Sequence, residues 1–75
     1  MKVRKQGNRL RVLRAERAVT QMDLALKVGL SRDRYWRIEN GYEQPTDAER
    51  ARLAKALRVS DESELGFPVS ALKAS

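Results

Sequence analysis

Residues 20–41 read TQMDLALKVGLSRDRYWRIENG, and their helix-capping residues and glycines indicate two short helices with a turn between them. Thr20 begins the first of these two helices, because a threonine followed three residues later by an acid resembles a capping box. Gly29 ends that helix, where a residue with positive φ is least costly. Only one residue separates Gly29 from Ser31, which is the N-cap of the next helix. That helix ends at residues 40–41. Two short helices joined by a glycine-containing turn form the helix-turn-helix pattern.

The flanking sequence predicts three further short helices. The first runs from about residue 8 to residue 18, with Asn8 as its N-cap. A full capping box at residues 46–49 (TDAE) starts the fourth, which continues to about Leu57. A fifth, short helix is capped by Ser60 and ends near residues 66–68. The expected fold class is all-α, a compact domain of five helices whose helices 2 and 3 form the helix-turn-helix.

Composition limits the possible classes of function. The chain has 75 residues, enough for one domain. It contains no cysteine and no histidine, so disulfides, thiolate metal sites, the commonest zinc ligand and the usual general base are missing. No apolar run approaches the ~20 residues that span a bilayer, and the N-terminus lacks the apolar segment of a signal peptide. We expect a cytoplasmic protein with no metal, no cofactor and no membrane contact.

Positive charge is concentrated near the N-terminus. The net charge is +6, and up to Arg17 the chain has seven basic residues and one acid, Glu16. The remainder has nine basic and nine acidic residues. A basic arm at residues 1–7, ahead of a domain at 8–67 and a C-terminal tail at 68–75, suits a polyanion such as nucleic acid. A solubilising tail is the alternative interpretation of the arm.

Several separately spaced segments resemble one family. Residues 20–25 (TQMDLA), 29–31 (GLS) and 37–41 (RIENG), together with 45–46 (PT) and 53–60 (LAKALRVS), are similar to the Cro/cI-type helix-turn-helix family of repressors. The resemblance covers roughly residues 8–65. It implies a five-helix, lambda repressor-like fold and binding to double-stranded DNA through helices 2 and 3, the third being the recognition helix. It usually implies transcriptional repression as a homodimer.

The third helix, residues 31–40, carries the residues predicted to contact bases. On a helical wheel of ~100° per residue, Tyr35 and Ile38 define its buried side. The other sides and the first turn carry the predicted base contacts, which are Arg32, Asp33, Trp36 and Arg37. The two arginines are the strongest candidates, because a guanidinium fork matches the O6 and N7 acceptors of guanine. By resemblance, Arg32, Asp33 and Arg37 occupy base-contact positions of the family.

Two residues of this helix admit more than one interpretation. Asp33 could accept a hydrogen bond from cytosine N4, orient Arg37 through an i,i+4 pair, or repel phosphate; we favour the pair with Arg37. Trp36 departs from the family pattern. It could pack against a thymine methyl or a sugar, contact a partner protein, or fold over the Arg32 stem. Tyr35 is expected in the core, with its hydroxyl reaching the rim.

Phosphate contacts are predicted around the start of the second helix. The Gln21 amide, with the free N–H groups of that helix terminus, can bind a phosphate oxygen, and the resemblance implies the same; a solvated glutamine is the alternative. The further phosphate candidates are Thr20, Arg34, Asn40, Tyr42 and Arg9, with Arg4 and Lys5 of the arm. By resemblance, Arg14 and Glu39 form a structural ion pair between the first and third helices.

The sequence thus predicts a sequence-specific transcription regulator, most simply a repressor, that binds a pseudo-palindromic operator as a homodimer. A protein-interaction module such as an antitoxin or adaptor is the alternative, with Trp36, Met22 and Leu26 as the residues that would anchor a partner. We expect no enzyme, no catalytic residue and no small-molecule substrate, because no nucleophile–base pair or phosphate-binding loop is present. The dimer interface is predicted to use Leu65, Phe67, Val69 and Leu72.

Overall fold

The computed structural model describes residues 8–67. They form four α-helices, α1 (Leu10–Glu16), α2 (Gln21–Val28), α3 (Arg32–Glu39) and α4 (Asp47–Ala56), followed by a 3-10 helix at Glu62–Leu65. Helix α2 packs against both α3 and α4, and the helices share a single core. The predicted arm and tail lie outside the described residues, and so do the predictions for Arg4, Lys5, Val69 and Leu72.

The predicted fifth α-helix is wrong. Residues 62–65 form a 3-10 helix, in which the Glu64 N–H donates to the Asp61 carbonyl at 2.9 Å. The Asp61 side chain caps this turn, and Gly66, in the left-handed conformation with φ 78°, ends it after four residues. A segment this short between a cap and a stop closes i→i+3 bonds but has no length for a run of i→i+4 bonds. The domain therefore has four α-helices.

The helix-turn-helix forms where the caps predict it. The Thr20 hydroxyl accepts from the Asp23 N–H at 3.0 Å, and the Ser31 hydroxyl accepts from the Arg34 N–H at 3.0 Å. Gly29 adopts φ 74°, the left-handed conformation that ends α2 and redirects the chain into α3. These local hydrogen bonds fix both ends of the turn, so the orientation of α3 follows from its own sequence and from its buried side.

The start of α1 differs from the prediction. Arg9, not Asn8, is the N-cap residue, and no side chain caps it at that position. Asn8 instead accepts from the Leu10 N–H at 3.0 Å through Oδ1 and donates from Nδ2 to the Ile38 carbonyl at 2.9 Å. One amide therefore caps α1 and ties it to the C-terminal end of α3, because asparagine carries a donor and an acceptor on one group.

The core is built from the apolar sides of all four helices. Its largest fully buried side chains are Tyr35, Leu10, Leu24, Ile38, Leu53, Leu57, Leu65 and Val28. On α4, Ala51 is exposed, whereas Arg50 is buried. Leu65 and Phe67 are also buried within this core, so their assignment to a dimer interface is wrong: they cannot reach another subunit without opening the domain.

Within residues 8–67, no helix combines the length and the apolar character needed to cross a bilayer.

Candidate nucleic-acid interface

The buried side of α3 determines which side chains it presents to the outside. Tyr35 and Ile38 are fully buried, and they anchor the helix on the core. Arg32, Asp33 and Trp36 are consequently exposed, in agreement with the helical wheel. With Gln21 of α2 they line a shallow groove of ≈ 490 Å³. The groove thus brings together three of the four predicted base contacts and the main predicted phosphate contact; Arg37 does not line it.

Arg37 is held from two sides by carboxylates. Its Nη1 donates to Asp33 Oδ2, the i,i+4 pair favoured from the sequence, and its Nε donates to Glu43 Oε1 at 2.7 Å. The two bonds use two of the five N–H donors of the guanidinium, which leaves donors for a base edge. Glu43 lies in the loop after α3, and sequence reasoning missed its role because no helical spacing relates it to Arg37.

Arg34 occupies a different environment from that expected of a phosphate ligand. Its Nε and Nη2 donate to the two oxygens of Glu49 at 3.2 and 2.8 Å, a bidentate pair. Its Nη1 also pairs with Glu43. The hydrogen bonds from Arg34 lower the pKa of the Glu49 carboxyl below its usual value, and the Thr46 backbone N–H adds to the effect. Arg34 therefore links α3 to α4 and is not a free phosphate ligand.

Glu39, at the end of α3, joins three helices, α1, α2 and α3. Its side chain is fully buried and accepts from Arg14 Nη2 at 2.8 Å and from Gln21 Nε2 at 3.1 Å. Arg11 reaches the same carboxylate at 3.4 Å. The ion pair between Arg14 and Glu39 that the resemblance implies is thus present. It belongs to a larger network that also fixes the amide of Gln21 at the start of α2.

Burial and hydrogen bonding act on Glu39 in opposite directions. Burial favours the neutral acid, but the hydrogen bonds from Arg14 and Gln21 outweigh it, so the pKa of Glu39 lies below its usual value. The same bond raises the pKa of Arg14. Tyr35 lies beside this pair; burial, and then the charge of Glu39, raise the pKa of its hydroxyl well above the usual range. Tyr35 is fully buried, and its hydroxyl does not reach the rim as expected.

Trp36 stacks on Tyr42. The ring centroids are 5.8 Å apart and the planes are inclined by 17°. The stack joins the exposed side of α3 to the loop after it, and both rings remain about half exposed, at 46% and 55%. Tyr42 was predicted as a phosphate contact and was not foreseen as the partner of Trp36. The pair forms a flat apolar wall beside the groove that holds Arg32 and Asp33.

The remaining predicted phosphate contacts are distributed unevenly. Thr20 lies beside Gln21 at the start of α2, and its hydroxyl caps that helix. Asn40 accepts from Arg11 Nη2 at 3.2 Å and donates to the Trp36 carbonyl at 2.9 Å, so its side chain is already engaged. Arg9 lies at the start of α1, where its stem packs against Gly66.

No group of three or more metal-ligating side chains capable of holding a metal ion occurs in the part of the chain that the structure describes.

Comparison with known proteins agrees with this geometry. Residues 7–65 match the family described as a helix-turn-helix domain. The chain belongs to this helix-turn-helix family. The resemblance to Cro/cI-type helix-turn-helix proteins inferred from the sequence is confirmed. A comparison with curated protein sequences finds no match.

This helix-turn-helix domain is also similar to a solved structure, the crystal structure of the restriction-modification controller protein C.AhdI from Aeromonas hydrophila. The two chains are 33% identical and superpose with a TM-score of 0.70, over 76% of this chain and 85% of the other.

Proposed function

We propose that this chain is a sequence-specific transcription regulator that lays α3 in the major groove of double-stranded DNA. Its family and its similarity to a restriction-modification controller protein support a DNA-binding transcription regulator. The observation that carries the finer proposal is the exposed side of α3, where Arg37 is oriented by Asp33 and Glu43 and lies one helical turn beyond Asp33. A guanidinium held in one geometry can match the two acceptors of a guanine edge.

Base reading rests on two arginines with different surroundings. Arg32, in the first turn of α3, forms no ion pair with any other residue of the described range and can extend to a base edge or to a phosphate. Arg37 is positioned before DNA arrives, so binding costs it less side-chain entropy. We therefore assign the stricter base preference to Arg37. The Trp36 ring, held by Tyr42, supplies an apolar surface for a thymine methyl group or a sugar.

Phosphate contact rests on the start of α2. Gln21 donates one amide hydrogen to Glu39, which fixes the group, and its second amide hydrogen remains for a phosphate oxygen. The first N–H groups of α2 lie at the same place, and a helix N-terminus favours an anion. Contacts of this kind set the register of the protein on the duplex and carry no sequence information themselves.

The finer biological role follows from the limited reach of one short helix. A single recognition helix of eight residues contacts few base pairs, so we propose a homodimer with half-sites about one helical turn apart. Repression by occupying an operator is the simplest action of such a dimer. The protein would then act in the cytoplasm of a prokaryotic cell or phage-infected host, at the nucleoid.

Selection from a pool of random duplexes tests the proposal. The wild-type protein is expected to enrich one motif with two related half-sites, whereas the Arg32→Ala/Arg37→Ala variant, which leaves the core intact, should enrich none. Enrichment of no motif by the wild type contradicts sequence-specific binding. A motif without two-fold symmetry would contradict the homodimer while leaving base reading in place.

A protein-interaction module is a second candidate, favoured by the exposure of Met22 and Leu26 on α2, at 48% and 74%. An antitoxin or adaptor that uses this surface should co-purify with its partner whether or not Arg32 and Arg37 are present. Loss of a co-purifying protein in Met22→Ser/Leu26→Ser, with DNA binding unchanged, would support it. Equal recovery of that protein from the wild type and the variant would count against it.

A further inference from the structure

Most of the unpaired positive charge in this domain lies away from the recognition helix. Among residues 8–67, six basic side chains form no ion pair with another described residue: Arg9, Lys27, Arg32, Arg52, Lys55 and Arg58. Only Arg32 is on α3. Four of the six are grouped where the C-terminal ends of α2 and α4 meet.

These four line a concave surface. Lys27, Arg52 and Lys55 surround one hollow of ≈ 340 Å³. Lys27 and Arg58, with Arg17 of α1, line a second of ≈ 290 Å³. The two hollows share Lys27 and Ala56, so they adjoin, and no carboxylate lines either of them. We call this surface, made by Arg17, Lys27, Arg52, Lys55 and Arg58, the basic hollow.

The fold holds the basic hollow in shape. Arg52 donates from Nε to the Val28 carbonyl at 2.9 Å, which joins α4 to the end of α2. Arg17 donates from Nε to the carbonyl of Leu57 at the end of α4. Cations near helix C-termini also offset the helix dipole, but these two bonds already place guanidinium groups on both carbonyl ends. Lys27 and Lys55 lie in the last turns of α2 and α4 and can offset the same dipoles, but both are exposed and make no hydrogen bond within residues 8–67, so their charges remain available to a ligand.

We propose that the basic hollow binds the phosphodiester backbone of a DNA duplex, as a second contact separate from the recognition helix. The identity of the polyanion rests on the proposed function. An acidic protein fits less well, because protein interfaces depend on buried aromatic or large aliphatic anchors. The only apolar residues lining the hollow are Ala56 and the partly buried Val19. Contact with a phosphate backbone needs charge and no such anchors.

The geometry of α2 separates the two contacts. Lys27 lies six residues after Gln21, which is about 9 Å along the helix axis and about 120° around it. No residue is shared between the basic hollow and the groove formed by Gln21, Arg32, Asp33 and Trp36. The backbone that it binds is therefore either a flanking stretch of the same duplex, bent toward the protein, or a second duplex.

The test is the salt dependence of binding to random-sequence duplexes of two lengths, about 12 and about 40 base pairs, between about 50 and 200 mM salt. The basic-hollow variant Lys27→Gln/Lys55→Gln removes two charges at exposed positions whose side chains make no hydrogen bond within residues 8–67. Its matched control, Ala48→Glu/Ser63→Glu, lowers the net charge by the same amount at exposed positions outside the hollow. Thermal unfolding checks that both variants fold.

The expected result is a shallower salt slope for the basic-hollow variant, by about 1.8 in the log–log plot, or ~0.9 for each lost phosphate contact. The control should keep the wild-type slope. A change confined to the longer duplex assigns the hollow to flanking DNA. Energy transfer between two labelled short duplexes, present in the wild type and lost in the variant, assigns it to a second duplex. A wild-type slope in the variant on both lengths overturns the proposal.

A third arm separates this proposal from the proposed function. Arg32→Ala/Arg37→Ala should lose the selected motif while the change of slope caused by Lys27→Gln/Lys55→Gln persists in its background. If the motif depends on Arg32 and Arg37 but the slope does not depend on the hollow, only the basic hollow is wrong. If the slope depends on the hollow and no motif exists, only the base-reading function is wrong.

Discussion

The exposed side of α3 and the basic hollow both present arginine or lysine, yet their cations are held very differently. On α3, Arg37 pairs with Asp33 and Glu43, and Arg34 pairs with Glu49 and with the same Glu43. In the hollow, Lys27 and Lys55 have no acidic neighbour among the lining residues. A cation whose geometry is fixed can distinguish one base edge from another, whereas a free one follows any phosphate. We therefore propose base-specific contact on α3 and sequence-independent phosphate contact in the basic hollow.

The carboxylates around α3 have an electrostatic consequence. Residues 8–67 contain twelve basic and ten acidic side chains, so this part of the chain is nearly neutral, and most of the +6 lies outside it. Asp33 and Glu43 reduce the general attraction of α3 for phosphate while they orient Arg37. Weak attraction to random DNA raises the ratio of specific to non-specific binding.

Breaking the Glu39 network should have the largest effect on stability. Glu39→Gln removes the charge partner of Arg14 from a fully buried position and is expected to lower the free energy of unfolding by about 3 kcal/mol. Urea unfolding at neutral pH measures it. Lys55→Gln, on the hollow, should change the same quantity by less than ~0.5 kcal/mol. Equal effects of the two substitutions would mean that the network at the end of α3 is not what holds the recognition helix.

The two classes of DNA contact should separate in their dependence on sequence. Arg37→Ala is expected to relax the preference at one base pair of the selected motif and to cost ~1–3 kcal/mol there. Gln21→Ala should weaken binding to the motif and to random duplexes alike. Fluorescence anisotropy on both duplexes measures the ratio. An equal loss on both duplexes for both variants would contradict the division between base reading and phosphate contact.

Acid should weaken the fold through the carboxylates that hold α3. The pKa values of Glu39 and Glu49 are lowered in the folded protein, so the unfolded chain binds more protons. Their stabilisation is complete above the ordinary value of about 4.5 and disappears as the pH falls through the folded values. Urea midpoints between about pH 3 and 6 should fall on the acid side, and Glu39→Gln should flatten the profile. An unchanged profile in that variant would exclude Glu39 as a contributor.

Local sequence correctly predicted the helix ends around the site and the buried side of α3. The caps at Thr20, Ser31 and Thr46 form hydrogen bonds between neighbours in the chain, so a short pattern is enough to identify them. The buried and exposed sides of α3 follow in the same way from helical periodicity. The i,i+4 pair of Asp33 with Arg37 was also foreseeable, because its spacing lies within one helix.

Contacts between distant segments were not predictable in the same way. The pair of Arg34 with Glu49 joins residues fifteen apart, and the bond of Asn8 to the Ile38 carbonyl joins residues thirty apart. No periodic pattern specifies which carboxylate meets which arginine once the helices have packed. The stack of Trp36 on Tyr42 depends likewise on the path of a loop. The prediction of a fifth α-helix was wrong because a capping residue and a terminal glycine indicate a helical turn but do not distinguish i→i+3 from i→i+4 hydrogen bonds.

We propose that α3 presents Arg32 and Arg37 to base edges in the major groove. Replacing guanines of the selected motif with 7-deazaguanine, which lacks only the N7 acceptor, tests it directly. We predict a loss of about tenfold in wild-type affinity at one guanine, equivalent to ~1.4 kcal/mol, and no further loss in Arg37→Ala at the same position. Full wild-type affinity for motifs carrying 7-deazaguanine at every guanine would contradict the account.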